Sequence, residues 1–240
     1  MTPWLMHQRW TNVLFAHWPV APSVLQPLLP RSLELLTCEG SAWIGVVPFL
    51  MSNVRPRGLP PLPWLSTFPE LNVRTYVRHG EQEGVWFFSL DASNPLAVRA
   101  ARSVVHLPYY DARMRITATA RGEIRYESER TLPRGHPGAR PAHFVASYRP
   151  EGDVRPAPSG TIDHFLVERY LLFAAAPRGL FTVRIAHRPW PLQRAVATIE
   201  RNTMGHAIRV PLEGEPRFLH FARRVDVRTW WPERVSRESE

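Results

Sequence analysis

Along most of the chain, apolar and polar positions alternate in short runs, which is the pattern of β-strands. Such runs, together with one almost wholly apolar run, predict nine strands, which are Ala42 to Pro48, Leu71 to Arg78, Val85 to Leu90, Met114 to Ala120, Glu123 to Glu129, Phe144 to Tyr148, Leu180 to Ala186, Arg194 to Arg201 and Phe218 to Trp230. Several are separated by too few residues for a helical crossover, so we expect a largely antiparallel sheet. The balance of elements predicts an α+β or barrel-like fold in a single domain spanning residues 1–240.

Two longer segments carry helical signals. The first runs from about Pro95 to Val105, with Ser93 or Asn94 as its N-cap and proline at the first helical position. The second runs from about Ile162 to Ala175 and is followed by proline and glycine. A shorter helical turn is predicted from Pro22 to Leu29, where the leucines share one face.

The segment ELNVRTYVR combines an apolar face with a polar one. A period of two places five polar residues on the same face, namely Glu70, Asn72, Arg74, Tyr76 and Arg78. This face is either solvated or forms the wall of a small-molecule pocket, in which Arg74 would hold a carboxylate in a bidentate manner. The two alternatives remain open at this point.

The segments on either side of this strand favour the pocket. The preceding loop, from Arg55 to Glu70, is long, rich in proline and apolar, and such loops usually cover a site or form an interface. The following segment VWFFSL is almost wholly apolar, as expected of a strand buried on both faces. A polar strand beside a buried one indicates a lined interior.

The charge of the chain limits its chemistry. All 30 basic residues are arginine, so no side-chain amine exists to form a Schiff base with a carbonyl substrate. The arginines give a net charge of +9, but they are spread along the chain without a basic block or a nucleic-acid-binding motif, so we expect no nucleic-acid partner. Cys38 is the single cysteine, which excludes an intrachain disulfide and a multi-cysteine metal site.

Other classes of function lack their signals. The longest apolar runs are too short to cross a bilayer and the first residues do not follow the order of a signal peptide, so we expect a cytoplasmic protein with no membrane partner. The ten histidines show no metal-binding spacing, and no phosphate-binding loop or nucleophile elbow occurs, so we expect neither a metal nor a cofactor. His17, beside Trp18 and Pro19, is interpreted as a satisfied core or rim histidine.

Six motifs together resemble the YqjF-like family of bacterial proteins of unknown function. They are LFAHWPVAPSVLQPLLPRSLEL, AWIGVVPFLMSNVRPRGLPPLP, FPELNVRTYV, GVWFFSLDASNPLAVRAAR, LPYYDARM and HRPWPLQ, and the likeness covers roughly Trp10 to Trp231. That family is similar to acetoacetate decarboxylase. The resemblance implies a strongly curved, mostly antiparallel double β-barrel or cone with a central cavity and two main helices, and a homo-oligomer.

The same resemblance bears on two adjacent tyrosines. The positions of Asp91, Pro95, Ala97, Arg102 and Pro108 follow the decarboxylase pattern that leads to its Schiff-base lysine and the neighbouring lysine. Tyr109 and Tyr110 occupy the places of those two lysines, and a phenol cannot form the iminium. The decarboxylase's pocket glutamate matches Glu70 or Asn72, and its early arginine falls near Pro19. The resemblance therefore implies an inherited cavity without the decarboxylase reaction.

Three hypotheses follow from these observations. The first is a protein that binds a small carboxylate or carbonyl compound against Arg74, with Glu70, Asn72 and Tyr109 or Tyr110 around it. The second is a lysine-independent lyase, isomerase or hydrolase with Glu70 as base and a tyrosine as acid. The third is a structural or interaction protein that uses its exposed aromatic and proline-rich surface, including Trp64, and the tyrosines then have only packing roles.

Overall fold

The computed structural model describes residues 2–99, 106–120, 122–131, 139–177 and 179–235. Strands dominate these ranges. They are β1 (Met6–Val20), β2 (Glu34–Leu35), β3 (Ala42–Pro56), β4 (Phe68–His79), β5 (Gln82–Ala92), β6 (Tyr109–Ala118), β7 (Ile124–Arg130), β8 (His143–Arg155), β9 (Leu171–Ala176), β10 (Gly179–Ala186), β11 (Leu192–Asn202), β12 (Phe218–Thr229) and β13 (Glu233–Arg234).

The described helices are short. They are α1 (Pro22–Leu25), continued by a 3₁₀ turn at Gln26–Leu28, α2 (95–99), α3 (Ile162–Val167) and α4 (Met204–Ala207). The predicted turn from Pro22 to Leu29 is thereby confirmed. None of these helices is both long enough and apolar enough to cross a membrane.

The strands form one 13-stranded sheet that closes on itself twice. The sheet order is β13-β10-β9-β5-β6-β7-β8-β11-β12-β1-β3-β4-β2, and β5 also pairs with β4 while β10 also pairs with β12. These two extra pairings close two rings that share β12, β1, β3, β4 and β5. Only the pairings of β5 with β6 and with β9 are parallel among those described. The predicted strongly curved, mostly antiparallel fold of the double-barrel type is confirmed.

The first predicted helix lies partly outside the described residues. Asn94 is its N-cap, because its Oδ1 accepts hydrogen bonds from the backbone N–H groups of Leu96 and Ala97, both at 3.1 Å. The chain is helical over 95–99, and the remainder of the prediction, 100–105 with Arg102, is not described. Tyr109 and Tyr110 begin strand β6, whereas the sequence pattern placed that strand's start at Met114.

The second predicted helix, Ile162 to Ala175, is wrong beyond Val167. Helix α3 begins after Thr161, whose side chain accepts the backbone N–H of His164, and it ends at Val167. The alanine-rich segment Leu171–Ala176 is instead strand β9, held between β5 and β10. Sheet pairing outweighs the helix propensity of this segment, because alternate residues of the strand pack into the two buried clusters of the core.

The longest missed element is β1, the 15-residue strand Met6–Val20. Its second half is buried on both faces, so the sequence there shows no alternation to detect. The segment VWFFSL was predicted to be buried on both faces, and this is wrong for one face. Val85 and Phe87 are buried, but Trp86 and Phe88 are only half-buried.

Strand β4 separates two buried clusters. Its apolar face contributes Leu71, Val73 and Val77 to one cluster, whereas Tyr76 belongs to the other, together with Phe15, Trp43, Val47 and Phe49. The polar face of β4 therefore points into a closed part of the barrel. This orientation places Glu70, Asn72 and Arg74 inside the protein.

Candidate functional site

The polar face of β4 is buried over most of its length. Glu70 is 3% exposed, Asn72 6% and Arg74 8%, so the solvated interpretation is wrong for these three. It holds only at the end of the strand, where Arg78 is exposed and forms an ion pair with Glu34 at 2.8 Å. Buried polar side chains need partners, so the contacts of each define the site.

Glu70 and Tyr109 form a buried pair. Strand β5 lies between β4 and β6, and it pairs with both, which brings the two side chains together. The Tyr109 hydroxyl donates to Glu70 Oε2 at 3.0 Å. Burial raises the pKa of Glu70 to about 8, although the hydrogen bond from Tyr109 opposes the rise. Burial and the neighbouring carboxyl also raise the pKa of Tyr109 well above its usual value near 10.

Tyr110 has different surroundings from Tyr109. Adjacent residues of a strand point to opposite faces, and the ring of Tyr110 lies against the Arg130 guanidinium, 4.1 Å from its Cζ. Arg130 forms an ion pair with Asp91 at 2.7 Å, and both side chains are at most 2% exposed. Of the two tyrosines, Tyr109 is therefore the one that contacts Glu70, and Tyr110 packs on a buried ion pair.

Arg74 is a buried cation whose described contacts include no carboxylate. Its Nη2 donates to the backbone oxygen of Leu166 at 3.1 Å, and its Nε has no hydrogen-bond partner in the described part of the chain. The guanidinium lies over the rings of Phe15 and Tyr76, 5.4 and 5.9 Å from their centroids. None of the ion pairs formed between described residues involves Arg74, so its charge is met by a carbonyl dipole and aromatic faces.

His17, which the sequence analysis interpreted as a satisfied core or rim histidine, lies beside Arg74. It is fully buried, and its Nε2 lies 2.7 Å from the hydroxyl of Tyr76, which donates to the Leu166 oxygen at 2.6 Å. His17 is opposite Gly45, and Gly45 is opposite Arg74, in the register of β1, β3 and β4. A Cβ on Gly45 would lie 2.9 Å from His17 Nε2 and 3.4 Å from Arg74 Cγ. Glycine is needed there for the close approach of both side chains.

Asn72 lies on β4 between Glu70, which pairs with Tyr109, and Arg74. Residues two apart on a strand are separated by about 6.5 to 7 Å, so Glu70, Asn72 and Arg74 form a wall roughly 13 Å long. The Oδ1 of Asn72 is buried and accepts no hydrogen bond from any described residue. The wall thus has the hydrogen-bonded Glu70–Tyr109 pair at one end, an acceptor without a described partner in the middle and a cation at the other end.

The proline-rich loop does not bury its own apolar side chains. Strand β3 continues to Pro56 and β4 begins at Phe68, so the loop is shorter than predicted. Leu59, Leu62 and Trp64 are exposed, Trp64 to 83%. Of the two roles expected for this loop, these side chains fit an interface better than a cover.

The described ranges contain no cluster of potential metal ligands. No group of three or more His, Cys, Asp or Glu side chains among these residues is placed to hold a metal ion. On the β4 wall, the Oδ1 of Asn72 and the Nε of Arg74 are buried polar atoms without a hydrogen-bond partner among the described residues.

Solved structures share this fold at low sequence identity. An acetoacetate decarboxylase from Legionella pneumophila matches with a TM-score of 0.64 at 14% identity, over 98% of this chain and 88% of that one. The enduracididine biosynthesis enzyme MppR, in complex with pyruvate, matches with a TM-score of 0.65 at 12% identity, over 100% of this chain and 93% of that one. These matches establish the acetoacetate decarboxylase-like fold.

A family model and a curated relative are closer in sequence. The chain is 43% identical over 229 residues to the uncharacterized protein YqjF of Bacillus subtilis. The aligned region covers 95% of this chain and 91% of that protein. Residues 7–226 match the model of a family described as uncharacterized conserved proteins. The YqjF-like resemblance is confirmed, and the chain belongs to the DUF2071 family.

Proposed function

We propose that the protein binds a small carboxylate or carbonyl compound against Arg74, on the wall formed by Glu70, Asn72 and Tyr109. The observation that carries the proposal is the buried Arg74 guanidinium, which meets no carboxylate among the described residues. Isolating an ion from water costs several kcal/mol unless it is paired, so such a cation favours an anionic ligand. A guanidinium fork matches the two oxygens of a carboxylate.

The proposal does not include Schiff-base decarboxylation. The chain contains no lysine, and a tyrosine pair occupies the expected position of the decarboxylase lysines. One structural relative was solved with pyruvate, a small 2-oxo acid. That complex supports a ligand of this size and charge in the shared fold, bound here without covalent attachment to an amine.

A thermal-shift screen with matched variants tests the proposal. Small oxo acids, hydroxy acids and dicarboxylates are screened against the native protein, Arg74→Met and the control Arg78→Met, which alters an exposed arginine of the same strand. A ligand at a hundred times its Kd adds about 2.7 kcal/mol, which raises Tm by roughly 5 to 10 °C in a chain of this size.

We expect the shift to persist in Arg78→Met and to disappear in Arg74→Met. Equal shifts in all three proteins would place the ligand elsewhere and contradict the proposal. No shift with any compound would also count against it, and would favour an interaction protein that uses the exposed loop around Trp64.

A lysine-independent enzyme is the second candidate, and the Glu70–Tyr109 pair favours it. A carboxyl group with a pKa of about 8, hydrogen-bonded to a phenol at 3.0 Å, can both donate and accept a proton near neutral pH. Loss of the α-proton of 2-oxobutanoate in D₂O, followed by NMR, measures such an activity. We expect Glu70→Gln to abolish any exchange that the native protein catalyses, and undiminished exchange in that variant would exclude Glu70 as the proton carrier.

A further inference from the structure

The hydrogen bonds around Tyr76 fix the position of a proton on His17. The Leu166 oxygen can only accept, so the single Tyr76 proton is donated to it at 2.6 Å. The Tyr76 oxygen must then accept from His17 Nε2, 2.7 Å away. Burial and the charge of Arg74 lower the pKa of His17, so the ring is neutral and carries its one proton on Nε2.

The other ring nitrogen of His17 is therefore a bare acceptor. Nδ1 is buried and receives no hydrogen bond from any residue in the described ranges. A buried acceptor left without a donor costs about 1 to 3 kcal/mol. The position consequently favours a ligand group that carries a hydrogen.

His220 repeats this arrangement on the neighbouring strand. Its Nε2 lies 3.0 Å from Asp163 Oδ1, which can only accept as a carboxylate, so the proton of the neutral ring is on Nε2. Burial lowers the pKa of His220, although Asp163 opposes this. The Nδ1 of His220 is a second buried acceptor that finds no donor in the described part of the chain.

Arg74 and the two histidines are all neighbours of Phe15. Phe15 is two residues before His17 on β1 and is directly opposite His220 on β12. The Arg74 guanidinium crosses Gly45 to lie over that ring, 5.4 Å from its centroid. A chain of three hydrogen bonds, from His17 through Tyr76 and the Leu166 oxygen to Arg74, also connects the two sides.

We propose that the ligand of this site is a short hydroxy acid, whose carboxylate binds Arg74 and whose hydroxyl donates to Nδ1 of His17. This inference rests on the proposed function. An oxo group offers only lone pairs and would face the lone pairs of the imidazoles. An ammonium group could donate, but it would lie near the buried cation Arg74 and the partly buried cation Arg169. A hydroxyl supplies the hydrogen without the charge.

A set of four-carbon acids tests the inference by calorimetry. The probes are 2-hydroxybutanoate, 3-hydroxybutanoate, 2-oxobutanoate, acetoacetate, 2-aminobutanoate and butanoate. We expect at least one hydroxy acid to bind about tenfold more tightly than the oxo, amino and unsubstituted acids, because only it satisfies the imidazole. Oxo or amino acids that bind equally well would overturn the inference and leave the carboxylate site standing. Absence of binding that depends on Arg74 would overturn both.

The Tyr76→Phe variant tests whether the hydrogen bond between Tyr76 and His17 sets the ligand preference or only supports the fold. Without the Tyr76 oxygen, the His17 proton is free to move to Nδ1, where it can donate to an oxo group. We expect the preference for hydroxy over oxo acids to fall toward one in this variant. Tyr148→Phe is the matched control, because Tyr148 also donates from a buried site to a backbone oxygen, that of Asn12, but in the other cluster.

Nitrogen-15 NMR of the imidazoles provides an independent readout. In the native protein without ligand, we expect His17 to be neutral with its proton on Nε2. A proton on Nδ1, or an unchanged hydroxy-to-oxo preference in Tyr76→Phe, would overturn the inference whatever the affinities are.

Discussion

The buried carboxyl group of Glu70 makes a quantitative prediction about pH and stability. Its pKa is about 8 in the folded protein, against an ordinary value of 4.5 that applies when the chain is unfolded. Between these two values the folded state holds a proton that the unfolded state has lost. Stability contributed by this group is therefore fully present below pH 4.5 and is lost as pH rises through about 8.

The magnitude follows from the width of that window. Each pH unit between the two pKa values removes about 1.4 kcal/mol, so the whole window removes about 5 kcal/mol. Glu70→Gln keeps the shape of the side chain and an acceptor for the Tyr109 hydroxyl, but it cannot ionise. The unfolding free energy of the variant, compared with that of the native protein, isolates this one group.

The assay is urea unfolding of the native protein and Glu70→Gln at half-unit steps from pH 5 to pH 8.5. We expect the native protein to lose stability relative to the variant by several kcal/mol across this range. Glu34→Gln, which alters an exposed carboxylate, is the control and should track the native protein. Parallel stability curves for the native protein and Glu70→Gln would refute the reasoning, because Glu70 would then titrate as it does in the unfolded chain.

Three further variants give separate tests. Tyr109→Phe removes the hydrogen bond that opposes the rise in the pKa of Glu70, so the loss of stability should extend to higher pH in the same titration. Gly45→Ala places a methyl group 2.9 Å from a neighbouring ring nitrogen and should destabilise by about 1 to 3 kcal/mol in urea unfolding; no change would indicate a looser site. Arg130→Met leaves the buried carboxylate of Asp91 without its ion-pair partner and should lower the free energy of unfolding by about 3 to 5 kcal/mol, measured in the same way. An unchanged free energy of unfolding would contradict the buried ion pair.

The alternation along β4 was sufficient to place Glu70, Asn72 and Arg74 on one face, because a period of two survives in any strand. It could not decide whether that face was solvated, since burial depends on the strands that close the barrel. Those strands include β1, which showed no alternation because its inner half is buried on both faces. His17 was interpreted as a satisfied core or rim histidine; it is a core residue, but its Nδ1 has no hydrogen-bond partner among the described residues.

The two tyrosines show a second limit of the sequence. The two phenols and the absence of lysine predict that the Schiff-base reaction does not carry over to this chain, and that prediction needs only the residue types. Their separate surroundings depend on which face of β6 each occupies and on β5 lying between β4 and β6. Pairing across strands distant in the chain is not encoded in any local pattern, so the Glu70–Tyr109 contact could be suggested but not placed.

The end of helix α3 is a third case. Local propensity favoured a helix as far as Ala175, yet the chain leaves the helix after Val167, at Glu168, whose side chain accepts the backbone N–H of Trp190. This early end frees the Leu166 oxygen, which accepts from Arg74 and from Tyr76. A long-range contact therefore positions a carbonyl that organises the site.

The most direct test of the central claim is calorimetric titration of one short carboxylate into three proteins: native, Arg74→Met and Arg78→Met. The acid is the one that gives the largest thermal shift in the screen. Binding through a charge-assisted, bidentate contact predicts saturable binding to the native protein and Arg78→Met, with affinity reduced about a hundredfold or more in Arg74→Met. Equal affinity in Arg74→Met and Arg78→Met would show that the buried guanidinium does not hold the carboxylate, and the account of this site would be wrong.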